Sequence, residues 1–189
     1  MKTNETIATI KKRRSVRSYT DEQVPKEILE TLLDVAVEAP NGMNYKEWHF
    51  TAIQNKEVLQ ELNALIKKAF AKSTDPKYKE RGESDTYCCY YHAPALIIAS
   101  NNPEHVWAGL DCACALQNVF LTATSLGLAS CWINQLGQTC DDPEVRAFLT
   151  RLGIPAHHKV YGCAAIGYAS PDVVLKEKKR PENAVNLIF

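Results

Sequence analysis

The chain has 189 residues, 46% hydrophobic and 23% charged, a composition that suits one globular domain over 1–189 and excludes a disordered chain. Its 22 basic and 22 acidic residues cancel, so there is no global field to hold nucleic acid or a membrane surface, and any anion site must be local. Seven cysteines, an odd number behind a charged N-terminus without an apolar leader, predict reduced thiols in a cytoplasm rather than a disulfide framework.

Residues 3–13 read as a short helix with Ile7 and Ile10 on one face. Five cations follow within seven positions: Lys11, Lys12, Arg13, Arg14 and Arg17. The helix dipole accounts for cations in the last turn, but Arg17 lies beyond it. Pro25 opens a second helix, with Ile28, Leu29, Leu32, Leu33, Val35, Ala36 and Ala39 at helical spacing, and the helix stops at APNGMN. WHFTAIQ has strand composition, and Asn55 caps a third helix over 56–72.

Residues 73–92 are polar, then abruptly aromatic, and predict an excursion with one short helix. Strands are expected at 95–100, 128–133 and 160–169, a long helix at 106–126, and a short helix at 143–152 capped by Asp141 or Asp142. Cys112 to Cys140 contains no Asp, Glu, Lys, Arg or His. Its Gln, Asn, Thr and Ser residues and the break at SLGLAS favour a buried helix and strand over a membrane span. With no Gly-rich loop between strand and helix, a dinucleotide or P-loop fingerprint is absent.

Arginine forks and a serine hydroxyl suit phosphate oxygens, although charge alone equally describes solvated basic faces. The order of the pieces distinguishes these readings. RRSVRSY at 13–19, APNGMNYKEW at 39–48, LGLASCWIN at 126–134, AAIGY at 164–168, and Lys178 with Arg180 follow one another over nearly the whole chain. In that order they resemble the flavin-dependent nitroreductase family.

The resemblance implies an α+β fold with a central, mostly antiparallel sheet flanked by helices, in an interlocked homodimer with FMN at the interface. It implies that Arg13, Arg14, Ser15 and Arg17 hold the phosphate, ribityl chain and ring edge, joined by Lys178 and Arg180. Pro40, Asn41, Gly42 and Asn44 would reach the flavin from the partner chain, and Cys131, Trp132, Ile133 and Asn134 would line its other side. The implied activity is ping-pong hydride transfer from NADH or NADPH to a small acceptor such as a nitroaromatic or quinone, with no catalytic side chain beyond the flavin. A flavin-holding protein without turnover and a basic interaction domain without cofactor are the rivals. This chain departs from the family pattern at Asn41, where Ser is frequent, and at Lys46-Glu47, where Gln-Pro is frequent.

Tyr87, Tyr90 and Tyr91 read either as a packed aromatic face or as a lid over the substrate pocket. Adjacent Cys88-Cys89 and the CAC at 112–114 lack zinc-ligand spacing, so no metal is expected and the thiols read as buried or partly buried. His157-His158 read as a surface turn.

Overall fold

The computed structural model describes residues 3–175 and 185–188; Lys178 and Arg180 lie outside the described residues. Among the described residues seven α-helices and four strands run in the order α1 (Glu5–Lys12), α2 (Lys26–Val37), β1 (His49–Ile53), α3 (Lys56–Ala71), α4 (Pro76–Glu83), β2 (Ala95–Asn101), α5 (Ala108–Ser125), β3 (Ala129–Ile133), α6 (Gln135–Thr139), α7 (Pro143–Arg151) and β4 (Lys159–Gly167). The helix starts follow side-chain caps: Asn4, Asn55, Asp75 and Asp142 each accept from a first-turn amide. Of the two cap candidates at 141–142, Asp142 does the work.

The sheet order is β1-β2-β4-β3, every pair antiparallel. All seven residues of β2 are buried, because helices cover both faces. Successive side chains of a strand point to opposite faces. Leu96 and Ile98 with Cys163 and Ala165 therefore join Leu59, Leu62, Ile66 and Phe70 of α3. Ile97 and Ala99 with Ala164 and Ile166 join Leu32 and Ala36 of α2 and Leu116 and Val119 of α5. The α+β architecture, with an antiparallel sheet between helical layers, is as expected.

Two short elements escape the sequence reading: a 3₁₀ turn at Gly42–Asn44 and the five-residue α6. Neither is long enough to display a period. One expectation is corrected: His158 is buried, not a surface residue, and its Nδ1 lies 3.3 Å from Ser100 Oγ; only His157 is exposed. The chain turns into β4 there, and the second histidine falls inside the sheet edge. All seven cysteines are free, six buried and Cys114 exposed, so the expectation of buried thiols fails at Cys114. That residue lies on the outer face of α5. Among the described residues no helix is long and apolar enough to cross a membrane.

Candidate functional site: the open edge of the sheet

The outer strand β3 is flanked by the basic segment. Ser15 forms a parallel bridge with Ser130, and Val16 N–H donates to Ser130 O at 3.0 Å. The segment then crosses the end of β4, where Tyr19 bridges Ala169 and Thr20 N–H donates to Tyr168 O at 2.9 Å. Tyr19 Oη donates to Val16 O at 2.7 Å and pins the crossing. In an antiparallel strand the amide and carbonyl of one residue face the same neighbour, and the next residue faces the other way. Ser130 is taken by Val16, so Trp132 presents the next outward-facing backbone on this edge.

The three arginines have different surroundings. Arg14 folds back, and its Nη1 donates to the carbonyls of Lys11 (2.6 Å), Arg13 (3.0 Å) and Lys12 (3.2 Å). It closes the C-terminus of α1, where the carbonyls are otherwise without donors. Arg17 is exposed, with its guanidinium carbon 5.8 Å from the Tyr91 ring centroid. Arg13 and Arg17 both reach Cys131: burial pushes that thiol up, and the two guanidinium groups pull it partly back. Arg146 and Arg151 pair with Asp141 and Glu61, whereas among the described residues no carboxylate pairs with Arg13 or Arg17. An open cavity of about 500 Å³ is lined by Arg14, Ser15 and Arg17 together with Val173, Val174 and Leu175.

The strand residues are placed as follows. Cys131 and Ile133 are buried in the α3 layer, and by the same alternation their backbone groups face β4 rather than the open edge. Trp132 turns to the α5 layer, its ring 5.9 Å from Phe120, and lies so close over Gly162 that a Cβ there would overlap the indole. Trp132 Nε1 donates to the exposed Asn134 Oδ1. Ser130 Oγ is buried and has no hydrogen-bond partner among the described residues.

The Pro40–Asn44 turn is elsewhere. Met43, Asn44 and Lys46 all have positive φ (55°, 58° and 55°), a conformation that costs a non-glycine residue about 1–2 kcal/mol each. The turn is held from outside. Asn41 Nδ2 donates to Asp111 Oδ2 at 3.1 Å, Gly42 N–H donates to Asp111 Oδ1 at 3.0 Å, and Lys46 N–H donates to Asn41 Oδ1 at 2.9 Å. A Cβ on Gly42 would stand 2.7 Å from the Trp107 ring, so the close approach that demands glycine here is to Trp107 of the same chain. Tyr45 stacks on His105 at 4.4 Å, and Glu47 accepts from Asn102 (3.0 Å) and pairs with His105 (2.5 Å). The departures at Asn41 and Lys46-Glu47 thus form one set of contacts with Asp111 and the loop before α5.

Within one chain the two halves of the expected site are apart. The turn sits at Trp107–Asp111, at the start of α5. Lys12 and Arg14 share a cavity with Thr124 and Gly127, at its end. Thirteen residues separate Asp111 from Thr124, about 20 Å of helix. Sequence reasoning missed Asp111, Trp107 and His105. The available signal was Asp111 itself, the last charge before the uncharged run.

The tyrosines divide. Tyr90 is 6% exposed and belongs to the core. Tyr87 packs on Phe70, and burial pushes its hydroxyl up to about 12. Asn63 clamps this segment by donating to Tyr87 O at 3.0 Å and accepting from Cys89 N–H at 2.9 Å. Tyr91 alone faces Arg17, and it has positive φ (55°).

The profile of the Nitroreductase family matches residues 10–168. A nitroreductase from Bacteroides fragilis solved with bound FMN is 58% identical, with a TM-score of 0.97 over 99% of this chain and 100% of that one. Another, from Desulfitobacterium hafniense and also with bound FMN, is 27% identical with a TM-score of 0.87 over the full length of both chains. A relative from Archaeoglobus fulgidus, whose name joins NADH dehydrogenase with NAD(P)H nitroreductase, is 30% identical over 87% of this chain and 85% of its own. By the span of that profile and the likeness of both sequence and fold, the chain belongs to the nitroreductase family.

Proposed function

We propose that this protein is an FMN-dependent oxidoreductase that draws hydride from NADH or NADPH and reduces a small acceptor such as a nitroaromatic or quinone. The carrying observation is the open edge of β3, with Arg13 and Arg17 beside it and no carboxylate paired with them among the described residues. The edge fits a phosphorylated flavin. Two guanidinium groups and the exposed Ser15 hydroxyl suit a dianion, the outward backbone of Trp132 suits a ring bearing donors and acceptors, and Ser130 Oγ lacks a partner among the described residues.

Arg13, Ser15 and Arg17 hold the phosphate end. Arg14 acts indirectly, by closing the helix that presents Arg13. Trp132 and Asn134 offer outward-facing backbone to the ring, while the backbone of Cys131 and Ile133 pairs with β4. Bound FMN supplies the hydride and electron chemistry that no side chain of this chain provides. The protein's own part is to bind, orient and exclude water.

A second copy of the chain completes the site. Trp107, Leu110, Cys114 and Gln117 form an exposed, uncharged stripe along α5. A two-fold contact is self-complementary. Two α5 helices pairing antiparallel along this stripe bring the start of one to the end of the other. The partner's turn 40–44 then meets the Arg13–Arg17 segment, the contact that a single chain keeps about 20 Å apart. Seven free thiols suit a reducing cytoplasm.

The test is an absorbance spectrum of purified protein, release of FMN by heat, and anaerobic titration with NADH. One FMN per chain, bleached by NADH and restored by a nitroaromatic or quinone, supports the proposal. Bound FMN that NAD(P)H does not reduce identifies a flavin-holding protein, and protein that takes up no FMN overturns the reading.

A further inference from the structure

Asp111 is 8% exposed and sits in the first turn of α5, with no cation among its hydrogen-bond partners. Burying a carboxylate is costly unless its lone pairs are filled. Both oxygens are filled from the same two residues: the Asn41 amide on Oδ2 and the Gly42 N–H on Oδ1. Asn41 then passes the constraint on, because its Oδ1 accepts from Lys46 N–H. These bonds span Asn41 to Lys46, the stretch that contains Met43, Asn44 and Lys46 in the left-handed region. Strained backbone of this kind persists only where surrounding groups over-determine it.

We propose that Asp111 is a positioning residue for the flavin site: through Asn41 and Gly42 it holds the turn 40–46 in the shape that the partner chain's FMN requires. The inference rests on the reading that this turn serves FMN across a dimer. The bonding has a direction. Asn41 must turn its oxygen to Lys46, so its NH₂ must face residue 111, and residue 111 must accept there. Asp111→Asn places one N–H against another whichever way its amide lies. Asn41→Asp sets two carboxylates face to face. The double variant Asp111→Asn with Asn41→Asp rebuilds all three bonds with one donor and one acceptor exchanged, and keeps the net charge.

The experiment compares the parent, both single variants and the double variant as full chains. It measures FMN affinity by fluorescence quenching, the visible band of bound FMN, and dimer mass by light scattering. Each single variant should bind FMN about tenfold or more weakly, the loss expected for one charged hydrogen bond. Its bound flavin should show a shifted band, and the double variant should return both readings to the parent's. The band tests position rather than mere folding. Single variants with the parent's affinity and band overturn the inference alone. Single variants that weaken, with a double variant as weak or as poorly assembled, also overturn it, because then the exchange of donor and acceptor is not what matters. A parent that takes up no FMN overturns the functional reading and this inference together.

Discussion

Replacing Arg13, Arg14 and Arg17 one at a time by alanine should give three unlike outcomes, although the residues lie within five positions. A charge-assisted hydrogen bond is worth about 1.5–3 kcal/mol net. Arg17 is exposed and competes with water, so Arg17→Ala should fall near the lower end, about a tenfold rise in Kd for FMN. Arg13 is half-buried, and Arg13→Ala should approach the upper end, about a hundredfold. Arg14 Nη1 donates to three carbonyls at the end of α1. Arg14→Ala should cost about 0.3–1 kcal/mol of stability, or about 1–4 °C in Tm for a chain of this size. Its FMN affinity should stay within about threefold of the parent's, since it loses no direct phosphate contact. Quenching of FMN fluorescence on titration with apoprotein gives the affinities, and the weakening by salt should be shallower in the Arg13 and Arg17 variants than in the parent. Arg14→Ala weakening FMN as much as Arg13→Ala, with Arg17→Ala unchanged, would refute this division of labour.

Leu110→Arg places a charge in the middle of the uncharged stripe of α5, so light scattering should give a species near 21.1 kDa rather than twice that, and FMN should be lost with the dimer; a monomer that keeps its FMN would remove the partner's turn from the site. Tyr90→Ala should lower Tm by removing a buried aromatic worth about 3–5 kcal/mol while acting alike on all acceptors. Tyr91→Ala should change the ranking of nitroaromatic and quinone acceptors with FMN still bound, and an unchanged ranking would mean that Tyr91 does not line the pocket. Burial and the neighbouring His157 and His49 hold His158 below its ordinary 6.5. The unfolded chain therefore binds that proton first, and stability should fall as pH drops below about 6.5. His158→Gln should flatten the change in Tm between pH 7.5 and 5.5; a slope unaltered by the substitution would assign it to other groups.

Long periodic elements were legible because burial of one face repeats every turn. The spacing in α3 marks Val58, Leu59, Leu62, Leu65, Ile66, Ala69 and Phe70; Leu59, Leu62, Ile66 and Phe70 are buried, and the other three pack partly buried against the same core. The site was half legible. The basic segment and the strand after α5 do lie together, as their resemblance to the family implies. What remained hidden is set by contacts distant in sequence or by backbone conformation. Asp111 and Asn41 are seventy positions apart. The left-handed residues Met43, Asn44, Lys46, Tyr91 and His92 are not glycines, so composition gives no sign of them. Adjacent tyrosines have different environments because the segment bends at Tyr91, which sends Tyr90 inward and Tyr91 toward Arg17.

The eighteen residues of α5 have a consequence for how this chain can change over time. If the partner's turn meets the arginine segment at each end of two antiparallel helices, α5 works as a ruler. Four extra residues would preserve the helix and nearly its facing, yet would slide each turn about 6 Å along the partner. Both flavin sites would open together, because each is measured by the same two helices. In that arrangement the excursion between α3 and β2 sets no distance between the turn and the arginine segment. Insertions and deletions should accumulate there and be absent from α5, so that the most ordinary-looking helix in the chain is the one whose length cannot drift.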